Sequence, residues 1–213
     1  MKSLVVKIAA LALLVASIFT LAGCKDVPEN NDEPYAYEDG KVYAVIDVKD
    51  FGKITVELCP DVAPITVDNF VSLAEGGIYK KSTFHRTLSN FMIQGGIPSD
   101  EDVELTPIVG EFEANGYVND IDHVRGVISM ARMPTSNDSA TSQFFICNAD
   151  YPSLNGQYAA FGFVVSGMDV VDEVTEYGMK YTSYQQNGFI YDETKMPVIS
   201  DISIVDNRTS SED

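Results

Sequence analysis

The sequence predicts a β-dominated domain of eight short strands and two α-helices. Three observations carry this reading. Short apolar runs alternate with polar residues at a period of two, Gly, Asn and Asp punctuate those runs, and only two stretches show helical spacing. Such a pattern packs as a sandwich or a closed barrel, and periodicity alone does not choose between them.

The elements follow in chain order. Val42 to Val48 reads as a strand, Asp50-Phe51-Gly52 as a turn, and Ile54, Val56 and Leu58 alternate with Thr55 and Glu57. This is a hairpin with one buried face. Pro64 suits the first turn of a helix. Val67, Phe70, Val71 and Ala74 form its apolar stripe, and Gly76-Gly77 ends it. Further strands are expected at 83–87, 91–95, 126–131, 143–148 and 160–165. A short helix is expected at 168–177 and a last strand at 198–205. Residues 97–125 carry eight acidic residues before Arg125 and read as a long, solvated connection in which His123 faces water. Residues 178–196 are rich in Tyr, Gln and Asn, and their role is open at this stage.

The chain's start reads as a separate part. Lys2 and Lys7 precede an apolar run from Ile8 to Leu21, which ends at Leu21-Ala22-Gly23-Cys24. The run is short for a membrane span and has the layout of a secretory signal. The final four residues resemble the lipobox of bacterial lipoproteins. That resemblance implies cleavage before Cys24 and a diacylglycerol on its thiol, where acyl chains anchor by burying methylenes. The expected organisation is therefore a signal peptide at 1–23 and a lipidated cysteine with an acidic, Pro-interrupted tether at 24–40. The folded domain then spans 41–206, with a polar tail at 207–213. The expected location is extracytoplasmic, on the outer face of the cell membrane.

Composition excludes several functions. The formal charge is −18, from 14 basic and 32 acidic residues. Such a surface repels phosphate backbones and anionic lipid headgroups. Nucleic acid is therefore not an expected partner, and membrane contact is expected through the lipid alone. With two histidines and no ligand-spaced repeat, neither a metal nor another cofactor is expected. Cys59 and Cys147 sit in apolar runs and are expected as buried free thiols.

Five blocks then fix a family resemblance. They are Pro64-Ile65-Thr66-Val67-Asp68-Asn69-Phe70; Phe84-His85-Arg86 with Phe91-Met92-Ile93-Gln94-Gly95-Gly96; Gly126-Val127-Ile128-Ser129-Met130-Ala131-Arg132; Ser142-Gln143-Phe144-Phe145-Ile146; and Leu154-Asn155-Gly156-Gln157-Tyr158-Ala159-Ala160-Phe161-Gly162. In this order they resemble the cyclophilin family of peptidyl-prolyl cis-trans isomerases. The resemblance implies a closed eight-stranded antiparallel barrel, capped by two helices, with a substrate groove on its outer face. It also implies action on proline-containing polypeptides, here expected to be exported clients, by a monomer.

The chemistry suits these residue types. A prolyl amide is held planar by resonance, with a rotation barrier of about 18–20 kcal/mol. Twisting it returns a lone pair to nitrogen. Catalysis then needs a dry grip on the ring and a donor where that lone pair appears, with no nucleophile. Arg86 is the candidate donor, a fixed fork that stays charged. By resemblance, Phe91, Met92, Phe145 and Leu154 form the proline pocket, and Gln94, Gln143, Ala131, Arg132 and Tyr158 border it. Phe144 and Phe145 must point to opposite faces of their strand, and the resemblance gives the groove to Phe145. His85, beside Arg86, is the weakest member and is assigned a rim or structural place. Ser153 stands where many eukaryotic members carry Trp, and Tyr158 where they carry His, so cyclosporin is expected to bind weakly. Two other functions compete. A proline-binding module without catalysis would be favoured by loss of Arg86, Phe91 or Gln94, all of which are present. A solute-binding lipoprotein would need two α/β lobes.

Overall fold

A computed structural model describes residues 37–208. The signal peptide, Cys24, most of the tether and the last five residues lie outside the described part. The strands are β1 (Val42–Val48), β2 (Gly52–Leu58), β3 (Phe84–Leu88), β4 (Met92–Gly95), β5 (Val127–Met130), β6 (Phe144–Cys147), β7 (Ala160–Ser166) and β8 (Ile199–Asp206). The helices are α1 (Pro64–Glu75) and α2 (Met168–Gly178). Four short 3-10 turns complete the list, among them Pro152–Leu154 and Tyr184–Gln186. Among the described residues, no helix is long and apolar enough to cross a membrane.

All strands pair antiparallel in one sheet, in the order β3-β4-β6-β5-β7-β2-β1-β8. The sheet is an open, curled half-barrel, and the expected closed barrel does not form. Its edge strands β3 and β8 meet only at their starts, where Thr83 bridges Val198, Phe84 N–H donates to Pro197 C=O at 2.9 Å and Ile199 N–H donates to Ser82 C=O at 2.8 Å. Beyond that point the edge of β3 is already taken. Thr87 N–H donates to Gly188 C=O at 2.8 Å, and Ile190 N–H donates to His85 C=O at 2.9 Å. Residues of the 178–196 segment thus occupy the place that β8 would need for closure.

Strand alternation sorts side chains to two faces. The inner face packs Ala44, Ile46, Val56, Ile93, Ile128, Phe144 and Ile146 against Phe70 of α1 and Val171 and Val174 of α2. Phe70 is the hinge of this core, with ring centroids 5.1 Å from Tyr79, 5.5 Å from Phe144 and 5.1 Å from Phe161. The hairpin's outer face was expected to be solvated, but much of it is covered. Tyr43, Cys59, Val127, Ala160, Phe163 and Val165 form a second cluster, closed from outside by Ile121 and Val124.

Those last two residues correct the reading of 97–125 as a solvated connection. The acidic side chains of 97–125 dominate the sequence pattern, yet Glu111, Phe112, Ile121 and His123 are all buried. Glu111 has a defined task. Helix α1 starts at Ala63 without a side-chain cap of its own. The Glu111 carboxylate supplies one from a distance, accepting from Ile65 N–H at 3.1 Å, Thr66 N–H at 2.7 Å and the Thr66 hydroxyl at 2.7 Å. These satisfy orphan donors and place an anion at the positive helix end. The expectation of two free thiols holds for Cys147, which is buried. Cys59, directly before the turn at 60–62, is buried in the second cluster beside Tyr43 and Val127.

Glu111→Ala removes three charge-assisted acceptor contacts at once, so it is expected to destabilise the domain by about 3 kcal/mol. Urea denaturation measures this, and an unchanged midpoint would show that α1 does not rely on the remote cap.

Candidate active site

The groove is assembled by register. Arg86 of β3 lies opposite Gln94 of β4, Gln94 opposite Phe145 of β6, and Phe145 opposite Ser129 of β5. One row of side chains therefore crosses four strands on the outer face. Met92 and Cys147 form a neighbouring pair, and Leu88, Met92, Phe145, Cys147 and Leu154 pack together as the apolar floor. Phe91, Ala131 and Tyr158 pack against that floor from the rim. The alternation expected of Phe144 and Phe145 holds, since Phe144 is in the inner core and Phe145 in the floor.

A cavity of about 360 Å³ opens over this floor. It is lined by Arg86, Phe91, Met92, Gln94, Ala131, Arg132, Phe145, Leu154 and Tyr158, all candidates from sequence. Pro134, Asn187 and Phe189 also line it and were not foreseen. Asn187-Gly188 is a turn signal, but nothing in the spacing says that this turn folds against Arg86, 101 positions away. Gln143 sits one step back from the cavity and reaches it through Gln94, whose Nε2 donates to Gln143 Oε1 at 3.1 Å. His85 is not in the groove. It is buried, its Nδ1 has no hydrogen-bond partner, and its ring stacks on Phe189 at 6.2 Å.

Arg86 is held on all sides. Its Nε donates to Asn187 C=O at 2.7 Å and its Nη1 to Gln94 Oε1 at 3.1 Å. Its guanidinium carbon lies 5.7 Å from the Phe91 ring centroid and 5.4 Å from that of Phe189. Burial lowers its pKa, with Tyr158 opposing, but a guanidinium stays charged throughout the working range. Among the described residues no carboxylate pairs with it, and its partners are a carbonyl, an amide and two ring faces. This leaves a desolvated, oriented cation beside an apolar cup that can accept a small ring. Among the described residues, no three His, Cys, Asp or Glu side chains gather as metal ligands.

His123 was expected to face water and instead supports the floor from behind. It is 1% exposed, stacks on Phe145 at 6.0 Å, and shares hydrogen bonds with the Ser129 hydroxyl at 3.1 Å and Asn155 Oδ1 at 3.2 Å. The acidic neighbours in sequence hid it, since a buried histidine leaves no mark in composition.

A half-barrel with two helices and an apolar groove beside a fixed cation fits what the cyclophilin resemblance implies. Comparison with known proteins agrees. The family model for cyclophilin-type peptidyl-prolyl cis-trans isomerases matches residues 43–198. A peptidyl-prolyl cis-trans isomerase of Acinetobacter baylyi is 44% identical over 142 residues, covering 60% of this chain and 72% of the relative. Peptidyl-prolyl cis-trans isomerase A of Dickeya dadantii is 41% identical over 142 residues, covering 64% of this chain and 73% of the relative. A cyclophilin-type isomerase of Cryptosporidium parvum, crystallised in the presence of the dipeptide Ala-Pro, superposes with a TM-score of 0.63 at 26% identity, over 78% of this chain and 99% of that one. The chain belongs to the cyclophilin-type peptidyl-prolyl cis-trans isomerase family, and it is an isomerase of X–Pro bonds.

Burial lowers the pKa of both His85 and His123 from 6.5 to about 4. The unfolded chain therefore binds protons that the fold refuses, and stability is lost as pH falls from 6.5 towards 4. The expected loss over that window is on the order of 2–3 kcal/mol for each histidine. Urea midpoints measured across it are expected to decline, and His123→Asn to flatten part of the slope. A slope that His123→Asn leaves unchanged would show that His123 is not buried neutral.

Proposed function

We propose that Arg86 is the catalytic donor of this isomerase and that the enzyme serves exported polypeptides from a lipid anchor. The observation that carries the first part is the fixing of Arg86 by Gln94, Asn187, Phe91 and Phe189 at the edge of the cavity. The proline ring sits on Met92, Phe145 and Leu154, where aromatic and thioether surface grips it without ordering water. As the amide twists, its nitrogen becomes pyramidal and its lone pair turns towards the guanidinium. A hydrogen bond forms that the planar ground state cannot make, so it lowers the barrier rather than merely tightening binding. Gln94, braced by Gln143, accepts from Arg86 and holds its plane. Ala131 offers backbone to the substrate, and Tyr158 and Arg132 close the far side.

The order of residues at the chain's start supports the second part. Lys2 and Lys7, the apolar run and Leu21-Ala22-Gly23-Cys24 have the order of a lipoprotein signal. Uncatalysed prolyl isomerisation takes about 10–100 s, slow enough to limit folding. A tethered isomerase meets chains as they emerge from export. It acts as a monomer, with no cofactor.

Arg86→Ala is expected to fold normally and to lose about 10²–10³ in turnover, the size of one placed donor. A prolyl-peptide assay reads this, and near-normal turnover would remove Arg86 from the reaction. The wild type, but not this variant, is also expected to speed refolding of a secreted protein with a native cis-proline. The anchor has its own test. Mass spectrometry of the protein from its native membranes is expected to find Cys24 N-terminal and diacylglycerol-modified. Recovery of Cys24 in a disulfide with Cys59 would overturn the anchor.

A further inference from the structure

The groove departs from the rest of the molecule in charge. Acidic residues outnumber basic ones 32 to 14 along the chain, yet the cavity is lined by Arg86 and Arg132 and by no carboxylate. The ion pairs of the described residues are Lys41–Glu57, Arg125–Asp172 and Arg208–Asp206, so neither groove arginine is in one. Arg86 is committed to the reacting amide. Arg132 has no such task and is nonetheless rigidly held. Its guanidinium carbon lies 5.1 Å from the Phe112 ring centroid and 4.9 Å from that of Tyr158. Its Nε donates to Gln157 C=O at 3.0 Å and its Nη1 to Met133 C=O at 3.1 Å. Nη2 makes no hydrogen bond among the described residues. Two rings and two carbonyls thus fix a cation at the cavity wall with one donor edge unused.

We infer that Arg132 is a specificity residue that selects prolines flanked by an acidic side chain. This rests on the isomerase reading and names the substrate class of the same groove. A guanidinium already immobilised loses little freedom on pairing, and its unused edge suits a carboxylate oxygen. The chain's net negative charge opposes the approach of acidic peptides. That field is screened beyond about 8 Å at physiological ionic strength, whereas a contact pair is not. The local cation therefore decides.

The test uses peptides that differ by one isosteric residue next to proline, Glu-Pro against Gln-Pro and Pro-Glu against Pro-Gln. Lysine peptides serve as the opposite charge, and exchange rates are read by NMR. The wild type is expected to prefer Glu over Gln at one flanking position by about threefold to fivefold in kcat/KM, the range of a half-exposed ion pair. The ratio is expected to fall only in part in about 0.5 M salt, because a partly buried contact pair is screened much less than the long-range field. Arg132→Gln is expected to abolish the preference and Arg132→Glu to turn it towards Lys. Arg132→Lys, which keeps charge but not the stacked fork, is expected to retain only part of it. Equal rates for Glu and Gln peptides in the wild type, or a preference that survives Arg132→Gln, would overturn the inference. Failure to turn over any of the peptides would instead remove the isomerase reading beneath it.

Discussion

The register that sets Arg86 opposite Gln94, Gln94 opposite Phe145 and Phe145 opposite Ser129 is the constraint on which the active site depends. Each strand contributes alternate residues to two surfaces, and both surfaces are occupied. A slip of one residue in β6 would exchange Phe144 for Phe145 and Ile146 for Cys147, spoiling the inner core and the groove floor together. The tight aromatic contacts around Phe70 make that exchange costly, because Phe144 has no other place to fill. Core packing therefore holds the groove in shape without touching it.

The second requirement is electrostatic. A cation buried in low dielectric is usually paired with a carboxylate. Arg86 is compensated by oriented carbonyl dipoles and ring faces instead. A carboxylate partner would claim the guanidinium's donors and neutralise its charge. Dipoles and quadrupoles hold it in place and leave its charge available. The contrast with Arg125, whose fork is consumed by both oxygens of Asp172, shows how the same side chain is used when only bracing is needed.

Much of this was legible in the sequence. Short apolar runs bounded by turn residues located every strand, with alternation evident in β2, because each strand has at least one face against an apolar layer. The five motif blocks gathered nine of the cavity's residues, since motifs on adjacent strands converge by pairing. What stayed hidden depended on long-range placement. Glu111 and His123 looked like solvated members of an acidic run, and only tertiary contact shows one capping α1 and the other backing Phe145. Closure of the sheet was misjudged because the competing occupant of β3's edge is an irregular segment without periodicity. Phe189 and Asn187 were missed for the same reason.

That segment joins two properties that are usually separate. Gly188, at φ +79, lies so close to Thr87 and Leu88 that a Cβ there would sit 2.5 Å from Leu88 Cγ. The chain is thus pressed flat along β3, and its carbonyls serve both the strand and Arg86. Fraying of residues 187–190 would release the guanidinium and bare the backbone of an edge strand in one event. A molecule frayed this way presents an unpaired edge that can pair with other extended chains. For an isomerase of X–Pro bonds, one short loop then decides whether the edge of β3 is covered or open to pairing.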